Sequence, residues 1–379
     1  MDSSQKLTNT DVKKLNKNRI FRLIYSSDKI SRQEIADQLG LSLPTVNQNL
    51  KLLMEEGLIE YVGNFTSTGG RRAQAITINN NARKAVSVNI KADSINVDIV
   101  GLKGQIIYSM TVKAHFSRQN AYVQKVAEAV SHAVSYVGAD GDGSVLGVGI
   151  TIPGIINEDR KLLISSPPLR VKNYDLARII SETDYPVIVM NDARAEAFAD
   201  HWFNGKPDDE KIYLMLSDGV GGAYINASAI RSGVHNRGGE FGHMVIHPGG
   251  KQCLCGKKGC LEAYVSEKVL SSEFNTSLED FFAQAEKGKP DYVDTLEEYI
   301  DNLALGINNI YTMMDCDIVL GGTVALYIKK YEDRIRERLI EDYSFDTDAG
   351  YLRIADCGRK SAGLGAALSF VAGFIDSEE

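Results

Sequence analysis

The sequence predicts a two-part α/β protein, in which a small helical head with a β-hairpin precedes a larger, duplicated α/β body. Three observations predict it. Three amphipathic helical segments lie between Asp11 and Glu55, and two short β-prone runs follow them. The rest of the chain alternates strands with helices, in an order that occurs twice. The length of 379 residues exceeds one ordinary core, so two or three domains are expected.

Charge is divided unevenly along the chain. Residues 1–84 carry 13 Lys+Arg and 8 Asp+Glu, a net charge of +5, whereas the remainder carries 29 against 42, a net charge of −13. A basic head on an acidic body is typical of a nucleic-acid-binding domain joined to a domain with another task, although small domains also acquire such charges by chance. Neither a long apolar run nor a secretory signal is found, so we expect a cytoplasmic protein without a membrane partner.

The head has the spacing of a helix-turn-helix. Helical periodicity predicts a first helix over 11–24. Ser31 and Glu34 form a capping-box pattern that starts a second helix, and this helix ends at Gly40. A third helix follows, with Pro44 in its first turn. The residues predicted to face the core of the head are Val12, Leu15, Ile20, Leu23, Ile24, Ile35, Leu39, Val46, Leu50 and Leu53.

The outer face of the third helix is polar and predicts a DNA contact. Asn and Gln side chains can bond adenine edges, and Lys can meet a phosphate. A Gly-rich turn with an Arg pair separates the two β-prone runs, which is typical of a wing whose arginines enter a narrow minor groove. A protein-docking module of the same shape and, for the turn, a solvated linker are the alternatives. The predicted DNA-contacting residues are Ser42, Thr45, Asn47, Gln48, Lys51, Arg71 and Arg72.

The body begins with β-prone runs at 85–90, 95–100 and 105–112, which predict an antiparallel meander before a helix over 120–137. Buried strands follow in SVLGVGITI and PVIVM, and the latter passes into a helix at Asn191-Asp192. A second set of strands comprises KIYLML, GGAYIN, DIVLGG and YLRIAD. This repeated order predicts two lobes around a cleft, with ligands at the strand ends. Asp192 can act there as a general base, although Asn-Asp is also an ordinary helix cap.

One stretch, GGEFGHMVIHPGGKQCLCGKKGCLEAY, carries the strongest chemical signal. It supplies one imidazole and three thiols, the complete tetrahedral set of a structural zinc site. His247 is a rival for the imidazole position, and thiols packed together by chance are the alternative to a metal. Glu240 and Glu262 would lie beside the metal as acceptors for sugar hydroxyls. The four candidate ligands are His243, Cys253, Cys255 and Cys260.

These motifs resemble those of the ROK family of repressors, open reading frames and kinases, and in particular its helix-turn-helix repressors of sugar metabolism. The resemblance covers nearly the whole chain and rests on EFGH, on the CxCGxxGCxE spacing and on the Asn191-Asp192 turn. It implies a winged helix-turn-helix (1–84) before an actin-like, ribonuclease H-like sugar-kinase fold with lobes at 85–195 and 196–379. The C-terminal helix could join the first lobe.

The resemblance also implies particular site residues. One structural Zn²⁺ per chain would be held by His243, Cys253, Cys255 and Cys260, and the resemblance favours His243 over its rival. In the family's kinases Asp192 would be the catalytic base. The implied sugar contacts are Asn191, Asp192, Glu240, His243 and Glu262.

Both phosphate loops depart from those of the family's kinases. The first has Asn89 in place of the expected acid and Lys91-Ala92-Asp93 where Gly and Thr belong. In the second, Ser217–Ala223, Asp218 would lie beside the phosphates, and like charges about 4 Å apart repel by about 4 kcal/mol at an effective dielectric of 20. Gly321-Gly322, on the adenosine side, is retained. We therefore expect a repressor without kinase activity, in which Asp192 is a vestigial base; a sugar kinase with an added DNA-binding domain is the alternative.

The implied partners follow from the two halves of the chain. Helix-turn-helix operators are usually palindromic, so we expect a homodimer or homotetramer that presents two heads. The body would bind a monosaccharide effector. Its identity stays open, because Pro167-Pro168-Leu169 replaces the Pro-Asn-Leu stretch of the family's kinases. Cys316 and Cys357 are expected to be ordinary core residues.

Overall fold

The head begins the computed structural model, which describes residues 9–65, 73–138, 143–206, 208–227, 229–342, 348–355 and 363–377. Its elements are helices α1 (Asn9–Ser26), α2 (Arg32–Leu39) and α3 (Leu43–Glu55) and antiparallel strands β1 (Ile59–Asn64) and β2 (Gln74–Ile78). The capping box starts α2 as predicted, since Ser31 Oγ accepts from the Glu34 amide and the Glu34 carboxylate accepts from the Ser31 amide. Gly40, at φ 64°, ends the helix in the left-handed conformation.

The inner face of the head differs from the prediction at the start of α1. Val12 and Leu15 are 41% and 48% exposed, while Phe21, which was not predicted, is fully buried. Helical periodicity identifies an apolar stripe, but it does not show how far along the helix another element covers that stripe. The first turns of α1 are therefore a correction to the predicted core.

The first lobe contains a five-stranded sheet in the order β10-β6-β3-β4-β5. Strands β3, β4 and β5 form the predicted antiparallel meander, and β6 lies parallel to both β3 and β10. A small antiparallel sheet, β7-β8-β9, was not predicted. The bounds are β3 (Lys84–Ile90), β4 (Ser94–Gly101), β5 (Ile106–Lys113), α4 (Asn120–Tyr136), β6 (Val145–Ile152), β7 (Ile155–Asn157), β8 (Leu162–Ser166), β9 (Val171–Asp175), α5 (Ala177–Ile180) and β10 (Val187–Asn191).

The second lobe repeats this five-stranded sheet in the order β13-β12-β11-β14-β15, which confirms the predicted duplication; the short strand β13 was not predicted. The bounds are α6 (Asp192–Asn204), β11 (Glu210–Leu216), β12 (Val220–Asn226), β13 (Ala229–Ile230), a 3-10 helix at Phe241–His243, α7 (Glu262–Val265), α8 (Glu267–Ser271), α9 (Leu278–Glu286), α10 (Pro290–Met314), β14 (Asp317–Gly321), α11 (Gly322–Ile328), a 3-10 helix at Lys329–Tyr331, α12 (Glu332–Asp342), β15 (Leu352–Ile354) and α13 (Leu364–Ser377).

The C-terminal helix α13 returns to the first lobe, where it packs on β3 and β6, and it also packs on α6. Gly149 allows this approach, since a Cβ there would lie 2.4 Å from the Ala366 carbonyl carbon. The boundaries drawn after Lys84 and after Ala195 remain a proposal, and the second of them falls inside α6.

The head packs directly on the body. Ile20, Phe21 and Ile24 share one apolar core with α13. The ring centroid of Phe21 lies 6.3 Å from that of Phe374, and the ring centroid of Tyr25 lies 6.0 Å from that of Trp202 near the end of α6. Tyr25 Oη also donates to the Leu102 carbonyl at 2.6 Å. Helices α6 and α13 therefore form the surface of the body on which the head packs.

Two smaller expectations concern cysteines and membranes. Cys316 is buried in the core of the second lobe, as predicted, whereas Cys357 falls outside the described residues. Among the helices of the described residues, none is both long enough and apolar enough to cross a membrane.

Candidate functional site

The Asn191-Asp192 turn joins β10 to α6 at the edge of the cleft. Asn191 is the N-cap of α6, and its Oδ1 accepts from the Arg194 amide at 3.1 Å. Its Nδ2 donates to the Gly154 carbonyl, also at 3.1 Å. Asp192 Oδ1 accepts from the Ala193 amide at 2.9 Å. The helix-cap role weighed from the sequence is thus present, and it fixes both side chains at a strand end.

Two carboxyl groups lie one helical turn apart on α6. Burial raises the pKa of Asp192, and nearby Asp218 raises it further against the opposing effects of the Ala193 amide and Lys91. Burial, followed by the charge of Asp192, raises the pKa of Glu196 to about 8. An ionised carboxylate makes a neighbouring acid harder to ionise, which is why the charge of Asp192 acts on Glu196 in this direction. Glu196 was not predicted, although its i,i+4 spacing from Asp192 was visible in the sequence.

The four candidate metal ligands are brought together. Their ligand atoms all lie within 4.8 Å of one another. Cys253 Sγ is 3.7 Å from His243 Nδ1, and Cys255 Sγ is 3.7 Å from Cys260 Sγ. Zn–S bonds of about 2.3 Å at tetrahedral angles place two sulfurs about 3.8 Å apart, so this set fits a tetrahedral ion. His247, the rival ligand, instead lies with Nε2 2.5 Å from Asn302 Oδ1.

Glycines shape the loop that carries the cysteines. Gly256 and Gly259 have φ values of 94° and 79°. A Cβ at Gly259 would lie 1.7 Å from the His247 carbonyl oxygen, so a side chain there cannot be accommodated. Burial raises the pKa of the Cys253 and Cys260 thiols. A bound cation would hold them as thiolates, since the thiolate is the ligand form.

Glu240 and Glu262 flank the cysteine loop. His243 turns Nε2 toward Glu240, with 3.7 Å between Nε2 and Oε2. Glu262 Oε1 lies 3.5 Å from Cys253 Sγ, and Glu262 Oε2 accepts from the Val220 amide at 3.0 Å. Burial raises the pKa of Glu240, and the charges of Asp192 and Glu262 act in the same direction. Asp192, Glu240, His243 and Glu262, four of the predicted sugar contacts, therefore lie close enough to act on one another's charge.

The stretches that correspond to phosphate loops are tight hairpins. The Lys91 amide donates to the Ser94 carbonyl at 2.9 Å, between β3 and β4. The Ser217 amide donates to the Gly219 carbonyl at 3.0 Å, between β11 and β12. Asp218 is exposed at this second tip, and its charge raises the pKa of Asp192. The Asp218 carboxylate therefore lies close enough to Asp192 for its charge to act there.

The start of α3 uses two of the predicted DNA contacts as a cap. Ser42 Oγ accepts from the Thr45 amide at 3.3 Å, and the two hydroxyl oxygens lie 2.8 Å apart. A cap hydroxyl at a helix N-terminus is still able to face a phosphate. Arg71 and Arg72 fall outside the described residues.

Further along α3 the outer face is open. Asn47 and Gln48 are exposed, and Lys51 is exposed with its Nζ 3.7 Å from Glu55 Oε1. Arg32, at the start of α2, donates to Asn47 Oδ1 at 3.4 Å. The sequence analysis did not place Arg32 beside this face of α3, although Arg32 directly follows the Ser31 cap in the sequence.

Comparison with known proteins agrees with both halves of this arrangement. A winged helix-turn-helix DNA-binding model matches residues 15–60. The ROK family model matches residues 85–372, well over half of the chain. The chain belongs to the ROK family. Relatives of this ROK protein include the xylose repressor of Bacillus subtilis strain 168, 29% identical over 82% of each chain. The DNA-binding transcriptional dual regulator NagC of Escherichia coli K12 is 28% identical over 69% of this chain and 66% of NagC.

Two solved structures match the fold of this ROK protein, one over nearly the whole chain and the other over about three quarters of it. A ROK family transcriptional regulator, described as a homolog of the E. coli MLC protein, superposes with a TM-score of 0.72 at 23% identity, over 97% of this chain and 98% of the other. The ROK hexokinase from Thermus thermophilus superposes with a TM-score of 0.62 at 26% identity, over 77% of this chain and 99% of the other. The former likeness covers head and body together.

Proposed function

We propose that this chain is a cytoplasmic, DNA-binding transcriptional repressor of carbohydrate-utilisation genes that responds to a monosaccharide. The observation that carries the proposal is a winged helix-turn-helix seated on a ROK body within one chain. Relatives named as a xylose repressor and as an N-acetylglucosamine repressor support it. The head would bind a palindromic operator as part of a homodimer or homotetramer.

The cleft would hold the sugar, with Asn191, Asp192, Glu240, His243 and Glu262 as contacts. Carboxylates and amides paired with sugar hydroxyls are the polar groups such a pocket needs. The cysteine loop would hold one structural Zn²⁺ through His243, Cys253, Cys255 and Cys260. With four protein ligands, the ion leaves no open position and supplies rigidity rather than chemistry. Through Glu240 and Glu262, that rigidity reaches the sugar site.

The alternative function is an ATP-dependent sugar kinase with an added head. The likeness of the body to the Thermus hexokinase and the presence of Asp192 at the cleft favour it. Lys91 and Asp218 argue against it. Lys91 stands where a kinase needs glycine to approach phosphate, and Asp218 brings a negative charge to the phosphate side. We therefore assign Asp192 to sugar binding rather than to phosphoryl transfer.

Sugar control would follow from coupling between the two halves. A sugar that binds one arrangement of the lobes better shifts the chain toward that arrangement, and DNA affinity changes if the heads move with the lobes. Induction, meaning weaker DNA binding with sugar, is the expected direction.

Operator binding across a monosaccharide panel tests the proposal. A duplex selected from random DNA should bind, and one sugar should weaken its binding at least about fivefold. Gln48→Ala should weaken DNA binding about tenfold, while exposed Gln38→Ala on α2 serves as the matched control. Indifference of DNA binding to every sugar would contradict ligand control. Sugar phosphorylation from ATP at an ordinary enzymatic rate would support the kinase instead.

A further inference from the structure

Arg194 is a buried arginine that no part of the site described so far uses. It lies in the first turn of α6, two residues after Asp192, and its side chain is only 6% exposed. Arginine is almost never buried to this extent without partners. Its guanidinium therefore identifies a place where charge and hydrogen bonding have been built into the fold.

The partners of Arg194 come from both lobes. On the first lobe, Nη1 lies 3.7 Å from Glu158 Oε1, in the turn between β7 and β8. On the second lobe, Nη1 donates to Ser232 Oγ at 3.2 Å, and Nη2 donates to the Asn236 and Gly238 carbonyls at 3.1 and 3.3 Å. The guanidinium thus joins the two sides of the cleft.

These second-lobe partners belong to one compact loop, residues 231–239, which we call the 231–239 loop. The Gly238 amide closes it by donating to the Ser232 carbonyl at 2.8 Å. Gly239 follows in the left-handed region at φ 92°, where a Cβ would lie 2.1 Å from the Gly222 carbonyl oxygen. Glu240 comes next in the chain, so a shift of this loop would shift the Glu240 backbone.

We propose that Arg194 is a positioning residue of the sugar site, which holds Glu240 at a fixed distance from the Asn191-Asp192 turn and thereby determines which monosaccharides fit. The Asn191 side chain caps the Arg194 amide, so one turn of helix carries both the sugar-facing groups and the tether. This inference rests on the proposed function, since it assigns a task within the same sugar site.

Lysine cannot replace the guanidinium in this task. Arginine presents five donors in a rigid planar fork, whereas lysine has a single ammonium on a flexible stem. The three donors of an ammonium all radiate from one nitrogen, whereas the Ser232 hydroxyl and the Asn236 and Gly238 carbonyls are divided between the two separate nitrogens Nη1 and Nη2. Arg194→Lys therefore preserves the charge near Glu158 and Glu240 but loosens the 231–239 loop.

The experiment compares Arg194→Lys with Arg231→Lys, an exposed arginine on the same loop. Hydrogen exchange of the unliganded protein is measured for amides of residues 232–240, and sugar affinities are measured for the best ligand of the monosaccharide panel and for its epimers. Zinc content and thermal unfolding are followed in parallel. Ser232→Ala, which removes one acceptor and leaves Arg194 intact, is the second variant.

Arg194→Lys should exchange the 232–240 amides at least tenfold faster and weaken the best sugar about tenfold, a loss of about 1.4 kcal/mol. The ratio between the affinity for the best sugar and the affinities for its epimers should fall, and the zinc content should stay unchanged. Ser232→Ala should show a smaller effect in the same direction, and Arg231→Lys none. Unchanged exchange, or faster exchange with unchanged sugar affinity and preference, would overturn the assignment. If the unaltered chain binds no sugar of the panel, the proposed sugar response fails first and this assignment falls with it; that outcome is recognised without any variant.

Discussion

At the residue scale, burial raises the pKa values of two acids on α6, Asp192 and Glu196. Asp192 and Glu196 share one face of α6, and Tyr213 Oη donates to Glu196 Oε2 at 3.5 Å. Lys91 is a nearby cation whose charge partly opposes the rise in the pKa of both acids. Sequence alone identified Asp192 through its motif. The i,i+4 spacing of Glu196 from Asp192 was visible in the sequence, but its burial was not, because burial of one helix face depends on β11 and the other elements that pack against it.

Glu196→Gln tests this protonation. With its pKa raised from the ordinary 4.5 to about 8, folded Glu196 keeps a proton that the unfolded chain releases. Stability should therefore fall as pH rises from 4.5 to 8. Glu196→Gln removes this loss of stability. At pH 8 the free energy of unfolding of the variant should therefore exceed that of the unaltered protein by at least about 1 kcal/mol, with a smaller difference at pH 5. Urea unfolding at both pH values measures it.

Glu128→Gln, an exposed carboxylate on α4, is the control and should change neither value. If the stability that Glu196→Gln gains over the unaltered protein is no larger at pH 8 than at pH 5, Glu196 has an ordinary pKa.

At the element scale, local patterns predicted most of the structure that forms between neighbours in sequence. The capping box of α2, the end of that helix at Gly40 and the strand meander all depend on residues a few positions apart, and all were predicted. The cysteine spacing likewise predicted a cluster that the structure brings together. The β7-β8-β9 sheet was missed because its strands are short and lack alternation. The exposed start of α1 was missed because exposure depends on distant elements.

The cysteine loop is the element with the sharpest prediction. Cys255→Ser should abolish retention of one zinc per chain and lower the free energy of unfolding by about 3 kcal/mol, since a ligand at a hundredfold excess over its Kd stabilises by about that amount. Metal analysis of the purified protein and denaturant unfolding measure both effects. Cys316→Ser, at a cysteine outside the cluster, should keep its zinc. A purified parent protein without zinc would contradict the metal assignment.

At the scale of the whole molecule, α6 connects the proposed sugar site to the head. Its first residues form the Asn191-Asp192 turn, and Trp202, near its other end, packs on Tyr25 of α1. Thirteen residues of helix span about 20 Å. The sequence analysis placed Tyr25 in the head and Trp202 in the second lobe and did not predict their contact. An interface between segments distant in sequence leaves no periodic pattern in either segment.

Tyr25→Leu tests this connection. The substitution removes the ring contact with Trp202 and the hydrogen bond to the Leu102 carbonyl. Sugar affinity of the free protein should stay within about twofold, whereas the factor by which sugar weakens DNA binding should fall at least about threefold. DNA titrations with and without sugar measure it. Tyr136→Leu, at a 69% exposed tyrosine on α4, is the matched control. Full retention of the sugar effect in Tyr25→Leu would exclude this contact from the coupling.

The central claim is that one chain couples a sugar site to a DNA-binding head, and coupling between two binding sites is reciprocal. Calorimetric titration of the effective sugar into the free protein and into its operator complex tests it most directly. Sugar should bind the operator complex more weakly than the free protein, by the same factor, at least about fivefold, by which sugar weakens DNA binding. Equal sugar affinities in the two titrations would show that the two sites are not coupled.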